Sequence, residues 1–212
     1  IYKQIGIHAS ADQAAGIKKM GEMFPFIDMS RIGITGWSGG GSTTLQCMFR
    51  YPELFKTGIA IAFISHQKLY DTVYQERYMN TPQNNPEGYE ETAPVKYAKN
   101  LKGNLLLIHG TGDDNVHYQN LELLVDELVK HKKMFHMMAY PMRSHGIYER
   151  EGTSQHLQML REKYWEDYLP AGKRNHRHLR RIRRRNRNRE NLKTFSQTPI
   201  SPQRVRAVRL KP

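Results

Sequence analysis

The sequence predicts an α/β fold, a mostly parallel sheet with helices on both faces, and three observations predict it. Short apolar runs alternate with segments of helical pattern from about residue 10 to residue 168, the order that parallel α/β sheets require. A glycine cluster, 36–41, joins one of those runs to the helical stretch after it. Charge is spread unevenly, which separates a folding portion from a tail. Of 33 Lys and Arg, fifteen lie in residues 173–212 against one acid, Glu190, so residues 1–172 carry 18 bases and 19 acids. The net charge of +13 therefore belongs to the tail. A nucleic-acid partner is not expected for the near-neutral portion, and only the tail could bind polyanions.

The elements follow in order. Ser10 to about Phe24 reads as a helix, with Ser10 and Gln13 at capping-box spacing and Pro25 as its stop. Arg31–Thr35 reads as a short buried strand, and Ser42–Arg50 as a helix ended by Tyr51-Pro52. The run Gly58–Ile64 is nearly all apolar, as a strand covered on both faces should be. The aromatic-rich Tyr70–Tyr78 is expected to be helical, and Thr81–Pro94, with three prolines and a glycine, to be a loop. Asn104–His109 is a further strand with Gly110–Asn115 as its turn. Asn120–His131 is an amphipathic helix, Met134–Tyr140 a strand, Pro141–Gly146 a loop and Glu151–Tyr168 a closing helix. Lys173–Arg189 is dominated by Arg, His and Asn, and the whole tail, 173–212, has too few apolar side chains to offset the entropy of ordering it. It is expected to be disordered.

Gly36-Trp37-Ser38-Gly39-Gly40 fits G-x-S-x-G. The motif carries chemistry only where a strand precedes it and a helix follows, because the turn between them lifts the serine above the sheet; both are expected here. Acyl transfer then needs an acid and a histidine in the order Ser, Asp, His, each on a loop after a strand. Asp113 and Asp114 both follow the Asn104–His109 strand, and position alone does not choose between them. Among ten histidines, His145 alone sits on the loop after the last strand. The order and the strand–turn–helix context point to an α/β-hydrolase fold with Ser38 as nucleophile, Asp113 or Asp114 as orienter, His145 as base and the N–H of Gly39 as oxyanion donor. No H-E-x-x-H and no paired cysteines are present, so neither metal nor cofactor is expected.

The segments MSRIGITGWSGGG, YDTVYQERYM, LLLIHGTGDDNVHYQN and YPMRSHGIY resemble, in order and spacing, the prolyl oligopeptidase family of serine peptidases, most closely its dipeptidyl peptidase IV branch. The resemblance runs from about Gly6 to Tyr168. It implies that Asp113 is the triad acid, and that Tyr70, Tyr74, Ile64 and Val116 line the pocket holding a substrate proline. It further implies that Asn115 bonds a substrate carbonyl. Two positions depart from the branch: Gly39 stands where a tyrosine is usual, and Gln67 where a tryptophan is common. The implied function is hydrolysis after proline or alanine near a peptide N-terminus. An acylaminoacyl- or oligopeptidase, a carboxylesterase, or an inactive fragment with a polyanion-binding tail are the alternatives. The resemblance also implies a parent homodimer with an N-terminal β-propeller, residues 1–172 being a partial catalytic domain, and an envelope or periplasmic location. One cysteine, Cys47, excludes an intrachain disulfide, and no stretch approaches the roughly 18 apolar residues of a membrane span. A start at Ile1 shows no signal peptide and reads as an opening inside a longer protein.

Overall fold

The apolar runs become four strands in the computed structural model, which describes residues 2–171: β1 (Ile32–Trp37), β2 (Phe55–Ile61), β3 (Asn104–Gly110) and β4 (His136–Tyr140). They form one sheet in the order β1-β2-β3-β4, every neighbouring pair parallel. The register sets Trp37 against Ile61, Ile61 against Ile108 and Gly110 against Tyr140, so the carboxyl ends of the strands line up along one edge. Among the described residues six α-helices accompany them: α1 (Ile7–Met23), α2 (Gly39–Arg50), α3 (Thr72–Met79), α4 (Pro86–Glu91), α5 (Gln119–Lys130) and α6 (Thr153–Tyr168). The tail expected to be disordered lies outside the described residues.

The strict two-residue alternation of a strand divides the core. Leu105 and Leu107 of β3 join Leu45, Met48 and Phe49 of α2 and Leu121, Leu124 and Leu128 of α5 on one face. Leu106 and Ile108, one residue out of phase, join Ile59 and Ile61 of β2 and Leu157 and Tyr164 of α6 on the other. Each such Leu or Ile contributes on the order of 1.5–3 kcal/mol by leaving water. Helices on both faces are what an apolar, fully covered β3 demands.

The boundaries differ from the sequence reading in four informative places. α1 begins at Ile7 after Gly6 in a left-handed conformation, and the Ser10 hydroxyl, expected to cap, donates to the Ile7 carbonyl (2.9 Å) inside the helix. β2 ends at Ile61 because Ala62 turns to φ 47°. Tyr70 is extended and lies outside α3, which Asp71 caps by accepting from the Tyr74 N–H (2.8 Å). The segment expected to be a loop, 81–94, contains α4, started by Pro86 at a position where a missing N–H costs nothing. Tyr89 of α4 is buried, and its hydroxyl donates to the Asn80 carbonyl (2.8 Å).

Candidate active site

Ser38 caps the start of α2 with φ 55° and ψ −121°, a conformation rare for any residue but glycine. Strain of this kind costs on the order of 1–3 kcal/mol and persists only where neighbours fix it. Here the Ser38 N–H donates to the Ile61 carbonyl (2.9 Å), and the Ser38 carbonyl accepts from the Ser42 N–H (3.0 Å). Gly36 makes the reversal possible: a Cβ there would lie 2.1 Å from the Gly40 carbonyl oxygen. Gly39 and Gly40 are different, since a Cβ on either meets nothing within 4 Å. The steric demand of the motif thus falls on Gly36, not evenly on its glycines. Gly39 opens α2, so its N–H has no intrahelical acceptor.

Asp113 and His145 are brought together from two loops. His145 Nδ1 lies 2.8 Å from Asp113 Oδ2, with the carboxylate fully buried and the imidazole half-buried. The loops are joined by the Thr111 N–H to the Tyr140 carbonyl (2.9 Å) and the Gly112 N–H to the Arg143 carbonyl (3.1 Å). Asp114 is exposed, and it is Asp113 that bonds the imidazole. Burial pushes the Asp113 carboxyl up, but hydrogen bonds from His109, His145 and the Val116 N–H outweigh it, and the group sits below its ordinary value. The Ser38 turn is tied to the same loop: Trp37 Nε1–H donates to the His145 carbonyl (2.9 Å). Among the described residues the Ser38 hydroxyl makes no hydrogen bond to the imidazole, which catalytic pairs often form only around substrate.

His109 is the residue that sequence reasoning missed. It is fully buried at the end of β3, with Nε2 2.8 Å from the Val116 carbonyl and 3.3 Å from Asp113 Oδ2. A carbonyl only accepts, so Nε2 carries a proton, while Nδ1 is buried without a partner. One N–H therefore serves both a carbonyl and the carboxylate. Spacing of four residues from Asp113 across the strand-end turn was the available signal.

A recess of about 310 Å³ lies beside Ser38, lined among others by Gly39, Ile64, Gln67 and Tyr74. Ile64 is pinned there by its N–H on Ser42 Oγ (2.9 Å). Tyr70 and Tyr74 pack edge to face at 5.5 Å although only Tyr74 is helical, and the Tyr70 hydroxyl donates to Asn115 Oδ1 (3.0 Å). Among the described residues no His, Cys, Asp and Glu group could hold a metal ion, and no helix is long and apolar enough to cross a membrane.

The profile of the prolyl oligopeptidase family matches residues 1–170. The chain belongs to that family. It is 38% identical over 171 residues to venom dipeptidyl peptidase 4 of Vespula vulgaris and 37% identical over 171 residues to that of Vespa velutina, covering 79% of this chain in each case. The crystal structure of Porphyromonas gingivalis dipeptidyl peptidase 4 superposes with a TM-score of 0.77 at 42% identity over 79% of this chain. The chain spans 22% of each venom relative and 24% of that crystallised chain. Val116, expected as a wall, is 0% exposed; its N–H donates to Asp113 Oδ1 (2.9 Å) and its carbonyl holds His109, so its backbone serves the acid while its side chain is packed away.

Proposed function

We propose that this chain is the catalytic part of a serine peptidase of the dipeptidyl peptidase IV kind, cleaving after proline or alanine near a peptide N-terminus through an acyl-enzyme. The observation that carries the reading is the Asp113–His145 hydrogen bond, on a loop bonded to the strained Ser38 turn. Ser38 Oγ attacks the scissile carbonyl as His145 Nε2 takes its proton. Asp113 keeps the proton on Nδ1 and balances the imidazolium. The Gly39 N–H faces the developing oxyanion. His145 then protonates the departing amine, and water, deprotonated by the same nitrogen, releases the acyl group. Tyr70, Tyr74 and Ile64 flank the substrate ring, and Asn115 orients its carbonyl. The parent is taken to be a homodimer with an N-terminal β-propeller, as the resemblance implies.

A fluorophosphonate probe tests the nucleophile on the whole chain, with mass mapping of the adduct. Labelling is expected at Ser38, to vanish in Ser38→Ala, and to slow by about 10²–10⁴ in His145→Gln. Unchanged labelling of Ser38→Ala would sink the assignment. Release of Gly-Pro from its anilide, compared with acetyl-alanine anilide, tests the dipeptidyl specificity.

A further inference from the structure

Loops supply both the acid and the base, and loops hold a side chain less firmly than strands do. The Asp113 carboxylate faces four N–H groups, two at each oxygen, which fills its acceptor sites. Oδ1 accepts from the Asn115 N–H (3.0 Å) and the Val116 N–H (2.9 Å), both on the acid's own loop. Oδ2 faces His145 Nδ1 (2.8 Å), on the second loop, and His109 Nε2 (3.3 Å). Of these four donors only His109 stands on a strand, β3, where it is in register with Ala139 of β4. Its imidazole packs edge to face against Phe63 (5.6 Å) and Tyr118 (5.8 Å), which fixes the plane of the ring. The same Nε2–H holds the Val116 carbonyl at 2.8 Å, so His109, Val116 and Asp113 close a ring of contacts. Both oxygens of the acid are thereby tied to the sheet, Oδ2 directly and Oδ1 through the Val116 peptide.

A carboxylate that orients an imidazole must itself be held, since a modest rotation would carry Oδ2 away from Nδ1 and free the tautomer. We infer that His109 is a positioning residue for the reaction: anchored in β3, its Nε2–H holds the Asp113 carboxylate where His145 Nδ1–H meets it, and it acts on catalysis only through Asp113. The inference rests on the proposed peptidase reading of Ser38, Asp113 and His145. His109 does not line the recess beside Ser38, so it has no contact with that pocket through which to act.

A double-mutant cycle on the whole chain tests this, with the second-order rate of fluorophosphonate labelling at Ser38 as its readout. His109→Phe keeps a flat ring and loses the donor; it is expected to slow labelling about tenfold, the effect of one hydrogen bond. His109→Gln, which keeps an N–H in the place of Nε2, is expected to recover most of that loss. In an Asp113→Asn background, His109→Phe is expected to slow labelling by less than about twofold, because the carboxylate it acts through is gone. A loss of the same size in that background would show that His109 supports the site by packing alone and would overturn the inference. So would a Gln variant as slow as the Phe variant. If the wild-type chain is not labelled at Ser38, the peptidase reading fails and this inference with it. If it is labelled and His109→Phe reacts as fast, the inference alone is overturned. Should His109→Phe not fold, seen as lost far-ultraviolet circular dichroism, His109→Asn takes its place in the cycle, its shorter amide leaving Oδ2 without the donor.

Discussion

At the scale of single residues, the Asp113 carboxylate is the most heavily bonded group in the site. It receives His145, His109 and the N–H groups of Asn115 and Val116. His109 meets the acid and the Val116 carbonyl and does not line the recess. Replacing it with Gln keeps a donor in the place of Nε2, whereas Phe keeps the flat ring between Phe63 and Tyr118 and loses the donor. Neither replacement titrates, which makes the pair a clean comparison. The Asp113 value is depressed in the folded protein, so its stabilisation is complete above the unfolded carboxyl value near pH 4 and is lost as pH falls through the lower folded value. His109→Gln should therefore be more stable than His109→Phe by about 2 kcal/mol at pH 7, the worth of a hydrogen bond to a charged group. That gap should close on acidification below the folded value. Urea unfolding across pH 7 to 2.5 reads it, and a gap independent of pH would show that packing alone was lost.

At the scale of elements, the junction of β1 with α2 is what holds Ser38 in its strained turn. The strand must stop and the helix start within two residues, which brings the Gly40 carbonyl over Gly36. Gly36→Ala should cost about 3 kcal/mol, at the upper end of overpacking, because the colliding atoms are backbone and cannot rotate away. Gly40→Ala, into open space, should be nearly neutral. Thermal unfolding of the two variants measures the contrast, and equal midpoints would refute the steric account. The sequence made the motif legible but not which of its glycines is indispensable, because that depends on how closely the helix passes over the strand. The same limit explains α4: its six residues are too short for a periodic signal, and what holds it is the long-range burial of Tyr89.

At the scale of the molecule, the two faces of β3 pack against the helical layers on either side, which predicts that they unfold together. Cys47 on α2 reports on that cooperativity. It is 0% exposed, and burial pushes its thiol up to about 12, so it is neither accessible nor ionised while the sheet is covered. A thiol reagent at pH 8 should therefore modify it only through unfolding, at a rate that rises with denaturant in step with loss of secondary structure. Fast modification in the absence of denaturant would show that α2 opens on its own. The strand order supports the cooperative expectation, since β2 and β3 are central and the candidate site draws on loops following all four strands.

What the sequence alone determined was the kind of chain this is. Apolar runs of strand length between helical segments require parallel strands covered on both sides, and every parallel strand delivers its carboxyl end, with the loops that carry Ser38, Asp113, Asp114 and His145, to one edge of the sheet. What only the tertiary structure decided was everything set by approach across the sheet. The choice of Asp113 over Asp114, the attachment of His109 to the acid and the packing away of Val116 depend on distances between segments remote in sequence. A pattern along the chain fixes which face a residue occupies; the partner it meets there is chosen by how neighbouring layers pack.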